Sequence, residues 1–127
     1  MTRSFGAQIG MAIGALALTY FTMMGAVIAG SPLSGDGIKA MMSDATVEGK
    51  MNDGSSYSEF YEADGKIKAK DYAGRWTIEG STMCFVYSTN PQKMCYQIGQ
   101  SANGIEWIKD GKVQGTGTVV KGNIRQY

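Results

Sequence analysis

Three patterns of apolar and polar residues follow one another along the chain. Residues 9–29, IGMAIGALALTYFTMMGAVIA, form an apolar run of 21 residues without a charge. As a helix rising about 1.5 Å per residue, the run would be about 30 Å long, the thickness of a bilayer core. Residues 34–43 (SGDGIKAMMS) place Ile38, Met41 and Met42 at i, i+3 and i+4. That spacing predicts a short helix, weakened by the early Gly35 and Gly37. After Asp44 the period becomes two. Val47, Gly49 and Met51 alternate with polar residues, as do Ile67 and Ala69, then Trp76 and Ile78. Met83, Phe85 and Tyr87 share one alternation, and Met94, Tyr96 and Ile98 the next. Alternation of this kind marks half-buried antiparallel strands.

Turn dipeptides separate the runs: Asp53-Gly54, Asp64-Gly65, Asn103-Gly104 and Asp110-Gly111, with Asn90-Pro91 as a further turn signal. Asp-Gly and Asn-Gly suit tight hairpins because both residues tolerate positive φ. The predicted strands lie near 45–51, 55–62, 66–71, 74–79, 82–88, 93–99, 104–109 and 112–120. About eight short strands joined by hairpins predict an all-β, antiparallel up-and-down meander, most economically closed as a small barrel. A barrel of this size holds a packed core or one small ligand, not a channel. The chain thus divides into an apolar helix over 1–30, a linker with a short helix over 31–44, an exported barrel over 45–123 and a tail over 124–127. Nothing in the sequence places the last six residues.

The apolar run supports two fates. Arg3 supplies a basic flank, and Val27-Ile28-Ala29 puts small residues before Gly30, as in a cleaved signal peptide. Alternatively the run is kept as a transmembrane anchor. It exceeds a typical signal core, and Gly10 and Gly14 form a G-x-x-x-G match through which helices can pack closely. In both cases Arg3 keeps the N-terminus cytoplasmic, so the remainder is exported. The expected location is the bacterial inner membrane with the C-terminal domain in the periplasm, or the periplasm alone after cleavage near Ala29.

Composition narrows the chemistry. Twelve basic and eleven acidic residues give a formal charge of +1, and there is no histidine. Residues 4–35 form 32 consecutive uncharged positions, and without Arg3 the rest of the chain carries 11 charges of each sign. A neutral domain lacks the uncompensated lysine and arginine that phosphate backbones demand, so nucleic acid is not an expected partner. Without histidine, Ser-His-Asp catalysis, Cys-His catalysis and most zinc sites fall away. No catalytic residues, metal site or cofactor are expected.

Cys84 and Cys95 fall on consecutive predicted strands, nearly opposite each other across the 89–93 turn, within disulfide reach. Two thiolates without histidine make an incomplete zinc site, and their spacing is not C-x-x-C. Export into an oxidising compartment favours the disulfide.

Taken together, Gly74-Arg75-Trp76-Thr77-Ile78, Cys84-Phe85-Val86-Tyr87 and Cys95-Tyr96-Gln97-Ile98 resemble a family of small exported bacterial proteins without an assigned activity. Tyr61, Asp64-Gly65 and Gly122-Asn123 extend the likeness. The resemblance implies a lipocalin-like or protease-inhibitor-like barrel with a disulfide, and no activity. Metalloprotease inhibitors of similar architecture insert a mature N-terminus into the protease, which here would require cleavage before Gly30.

The remaining side chains have ordinary explanations. Glu59 and Glu62 point to opposite strand faces and are expected as solvated charge rather than an acid–base pair. Lys66, Lys68 and Lys70 share a strand face, as in a solvated or lysine-protected edge. Trp76, Trp107 and Tyr87 lead an aromatic set that by default fills a core, the alternative being contacts to a ligand or partner. The nine methionines fit apolar faces better than copper ligation. The leading expectation is a non-enzymatic, membrane-anchored accessory subunit whose partners are lipid and an integral membrane protein complex. The alternative is a soluble periplasmic binding module or an inhibitor of an extracytoplasmic enzyme, its small-molecule ligand unspecified.

Overall fold

Eight antiparallel strands follow one another around a closed barrel, each paired with its sequence neighbours. They are β1 (Ala45–Met51), β2 (Ser56–Tyr61), β3 (Lys66–Lys68), β4 (Ala73–Glu79), β5 (Thr82–Tyr87), β6 (Asn90–Ser101), β7 (Gly104–Lys109) and β8 (Lys112–Lys121). β8 returns to β1 in a continuous register from Ala45↔Lys121 to Met51↔Gly115, so neither strand is left as an edge. The computed structural model describes residues 31–102 and 104–127. The apolar segment with Gly10 and Gly14, the cleavage position after Ala29, and Asn103 lie outside the described residues. Among the described residues no helix is long and apolar enough to cross a membrane.

The hairpin turns act where the dipeptides predict. Asp110 (φ 51°) and Gly111 (φ 72°) both take positive φ between the paired Lys109 and Lys112, the backbone that Asp-Gly tolerates. Asn90-Pro91, however, is not the turn. The β5–β6 hairpin closes at Ser88-Thr89, Tyr87 pairs with Asn90, and Pro91 lies in β6. The register shifts between Phe85 and Tyr87, and a ladder interrupted there tolerates a proline with no N–H to give. β3 also stops early. Ala69 N–H turns to the Tyr72 carbonyl at 3.2 Å, so Lys70 leaves the strand and the three-lysine row is reduced to Lys66 and Lys68. Lys68 in turn meets Glu62 at 2.6 Å.

Helix α1 (Gly35–Met42) starts at Ser34, whose hydroxyl accepts from Gly37 N–H at 3.1 Å, a normal N-cap. It packs against β1, β4 and β5, and Ile38 and Met42 are fully buried. The i, i+4 spacing of these two residues therefore stops one end of the barrel. They join one core with Val47, Ile67, Trp76, Met83, Ile98 and Ile105. Lys121 fastens the helix C-terminus, donating to the carbonyls of Ala40 (2.7 Å) and Ser43 (2.8 Å), where a cation also suits the helix dipole.

Cys84 and Cys95 are direct cross-strand partners joined by a disulfide. Closing so short a loop stabilises the fold by about 3 kcal/mol on chain-entropy grounds. The C-terminal tail is held against β1 and β2. Gly122 O accepts from the buried Thr46 hydroxyl at 2.6 Å, Arg125 binds Glu48 through two contacts of 3.0 Å, and Tyr127 OH donates to Ser58 at 2.8 Å. The hydrogen bonds from Arg125 hold the Glu48 carboxyl below its ordinary pKa.

Candidate functional site

α1 closes one end of the barrel, and the other end is hollow. A cavity of about 470 Å³ opens there, bordered by Asn52 and Asp53 of the β1–β2 turn and by Thr89 of the β5–β6 turn. Its walls are six aromatic residues: Tyr57, Tyr72, Phe85, Tyr87, Tyr96 and Trp107, with Met51 and Met94 between them. The strand period puts them there. Tyr57 precedes Glu59 and Tyr61 by steps of two on β2, Phe85 and Tyr87 share a row on β5, and Met94 and Tyr96 share one on β6.

The rings support one another. Phe85 stacks on Tyr87 with planes 5° apart and meets Trp107 edge-on at 5.4 Å between centroids. Tyr96 and Tyr57 meet Trp107 edge-on at 6.0 and 6.2 Å, and Tyr72 meets Tyr87 at 5.6 Å. Trp107 Nε1–H donates to Tyr57 Oη at 2.7 Å, and the Tyr57 O–H donates in turn to the Thr116 carbonyl at 2.9 Å. Such contacts favour offset and edge-on geometry and keep the polar tips satisfied.

The floor of this cup holds Glu59, only 4% exposed. One carboxylate oxygen accepts from Tyr72 OH at 2.6 Å; the other accepts from Tyr61 OH at 2.5 Å and from Tyr87 OH at 3.1 Å. No lysine or arginine lines the cavity, and none of the ion pairs among the described residues involves Glu59. Burying a carboxylate is costly unless hydrogen bonds replace its water. Here three phenols do so. Burial first, and then the Glu59 carboxylate through its charge and hydrogen bonds, push Tyr61, Tyr72 and Tyr87 well above the usual phenol range; burial raises Tyr57 to about 12.

Glu59 corrects the sequence-based expectation. It does point away from Glu62, but inward, and it is not solvated. Parity carried the signal, since Tyr57, Glu59 and Tyr61 share one face of β2 and two of the three are large aromatics. Trp107 and Tyr87 both line the cup, with Phe85 in contact with each. Trp76 stands apart in the core, donating through Nε1 to the Glu62 carbonyl at 2.9 Å and meeting Tyr61 edge-on.

No protein-family model, curated protein or solved structure matches this chain. The small closed barrel and its Cys84–Cys95 disulfide therefore stand on the chain's own geometry, and so does the site. Two other places on the barrel offer less than the cup. Glu79, Cys84 and Cys95 bring three ligand atoms together, yet the two sulfurs are bonded to each other, leaving one carboxylate. A surface groove of about 720 Å³ between α1 and β8 is lined by Leu33, Met41 and Val119, but its Lys121 is already spent on the helix carbonyls. Of these three places among the described residues, the cup combines enclosure, aromatic walls and convergent polar groups.

Proposed function

We propose that the protein is a non-enzymatic binding module that takes one small organic molecule into the open end of its exported barrel. The observation that supports this reading is the cup itself. A volume of about 470 Å³ falls within the range of about 300–1,000 Å³ used for small-molecule sites, and apolar walls around a few placed polar groups are their usual composition. A barrel built only for stability would fill this space, because an unfilled interior forfeits packing energy.

Because the chain has two tryptophans, one in the cup and one in the core, the indole N–H resonances report position. The full chain, labelled in tryptophan and held in phosphatidylcholine nanodiscs, is titrated with the neutral probe 2-naphthylmethanol. The Trp107 resonance is expected to shift and saturate while the Trp76 resonance stays in place. A Trp107 resonance that moves neither with this alcohol nor with the amine and carboxylate of the same shape would end the binding-module reading.

The second reading is a membrane-anchored accessory subunit of an inner-membrane complex, and the 32 uncharged residues of 4–35 favour it. The mass of the mature protein from native cells tests it. A chain starting at Met1 or Thr2 supports the anchor, whereas a start at Gly30 removes it and leaves a periplasmic module.

A further inference from the structure

Resting on the binding-module reading, we infer that the ligand is a small ammonium-bearing molecule with an apolar body, held with its cationic group toward Glu59. The charges decide this. Both ionisable carboxyl side chains that line the cavity, Glu59 and Asp53, are acidic in kind, and no basic side chain accompanies them. Glu59 is nine-tenths buried and more. Its hydrogen-bond partners are phenols, which solvate a carboxylate without neutralising it.

A carboxylate has about four lone-pair sites, and the three phenols use three. One acceptor position remains at the floor, joined by the phenolic oxygens of Tyr72 and Tyr87, which can also accept. All of these want donors. A carboxylate or phosphate on the ligand would meet repulsion from Glu59, and each side-chain N–H donor of the lining already gives a hydrogen bond: Trp107 to Tyr57, Asn52 to the Val113 carbonyl and Gln114 to the Lys112 carbonyl.

The walls point the same way. Aromatic faces carry negative potential and hold cations by cation–π attraction. Lys109 shows this on the protein itself: its Nζ stands 5.8 Å from the Tyr96 ring centroid, over one of the rings of the cup, without lining the cavity. An ammonium inside the cup would replace water with aromatic faces and a charge-assisted hydrogen bond to Glu59, about twice as strong as a neutral one. The remaining volume, bounded by Phe85, Met94 and Trp107, takes the apolar body.

The test uses three probes of one shape: 2-naphthylmethylamine, 2-naphthylmethanol and 2-naphthoate, with the Trp107 indole resonance of the full chain as readout. The ammonium is expected to bind about ten-fold or more tighter than the alcohol, and the carboxylate about ten-fold or more weaker. Glu59→Gln should bring the amine to the level of the alcohol, with an unmoved Trp76 resonance confirming the fold. Equal binding of amine and alcohol by the native protein overturns the inference, and so does a preference that survives Glu59→Gln. Should Glu59→Gln fail to fold, the order of the three probes on the native chain still decides. Alcohol binding without an amine preference defeats this inference alone. Binding by none of the three defeats the binding-module reading with it.

Discussion

Valine at position 49 is expected to prevent the barrel from closing. Gly49 lies in β1 opposite Gly117 of β8, on the register that joins the last strand to the first. A Cβ at this position would stand 1.9 Å from the Thr116 carbonyl oxygen and 2.7 Å from Gly117 Cα. These are backbone atoms of the partner strand, so no rotamer change relieves the overlap. Strand propensity argues the other way, because valine suits a β-strand better than glycine by up to about 1 kcal/mol. The steric term wins. Overpacking a core that can adjust costs about 1–3 kcal/mol, and here the ladder itself must separate, so Gly49→Val should cost more than about 3 kcal/mol. Urea unfolding followed by tryptophan fluorescence measures this. A midpoint equal to or above that of the native chain would show that the two strands do not approach as described.

The same close approach shapes the cup. A Cβ on Gly117 would come within 2.3 Å of Tyr57 Oη, the atom that accepts from Trp107 and donates to Thr116. The glycines that let β1 and β8 meet thus also leave room for Tyr57 to hold Trp107 in the wall. Closure of the barrel and the wall of the cup are one piece of construction.

Alkaline solution should unfold the protein steeply. In the unfolded chain tyrosine ionises near pH 10. In the folded barrel burial, followed by the Glu59 charge, raises Tyr61 and Tyr87 well above that, and burial takes Tyr57 to about 12. The folded-state pKa is the higher one, so the unfolded chain loses protons first. Stability from these phenols is complete below about pH 10 and declines as the pH climbs toward their folded values. Tyr61 and Tyr87 together contribute a slope of about 3 kcal/mol per pH unit. For a domain in the lower half of the usual range of about 5–15 kcal/mol, this slope brings unfolding within about two to three units above about pH 10. Phenolate absorbance and tryptophan fluorescence should then change together. Phenolate from these buried tyrosines near pH 10, with the fold intact, would contradict the buried cluster.

Local features were legible in the chain because their causes are local. Alternation of apolar and polar residues depends only on the strand repeat, and each Asp-Gly pair supplies a glycine at positive φ for its turn, at Gly54, Gly65 and Gly111. Eight strands, their order, α1 and the facing cysteines follow from that. Even the error at Asn90-Pro91 is instructive: proline signals a turn only when the ladder needs its missing N–H, and the register shift beside Phe85 removed the need.

What the sequence by itself determined, then, is an antiparallel meander with its hairpins and its disulfide partners, since neighbouring residues settle each of these. Tertiary structure decided the rest. A carboxylate on a strand is written identically whether water or three phenols surround it. Glu59 became the floor of a cup only when β3–β4, β5 and β7 brought Tyr72, Tyr87 and Trp107 around it. The tail likewise found Thr46, Glu48 and Ser58 only once β8 had returned to β1. These contacts join residues far apart in the chain, and their energies exist only in the closed barrel.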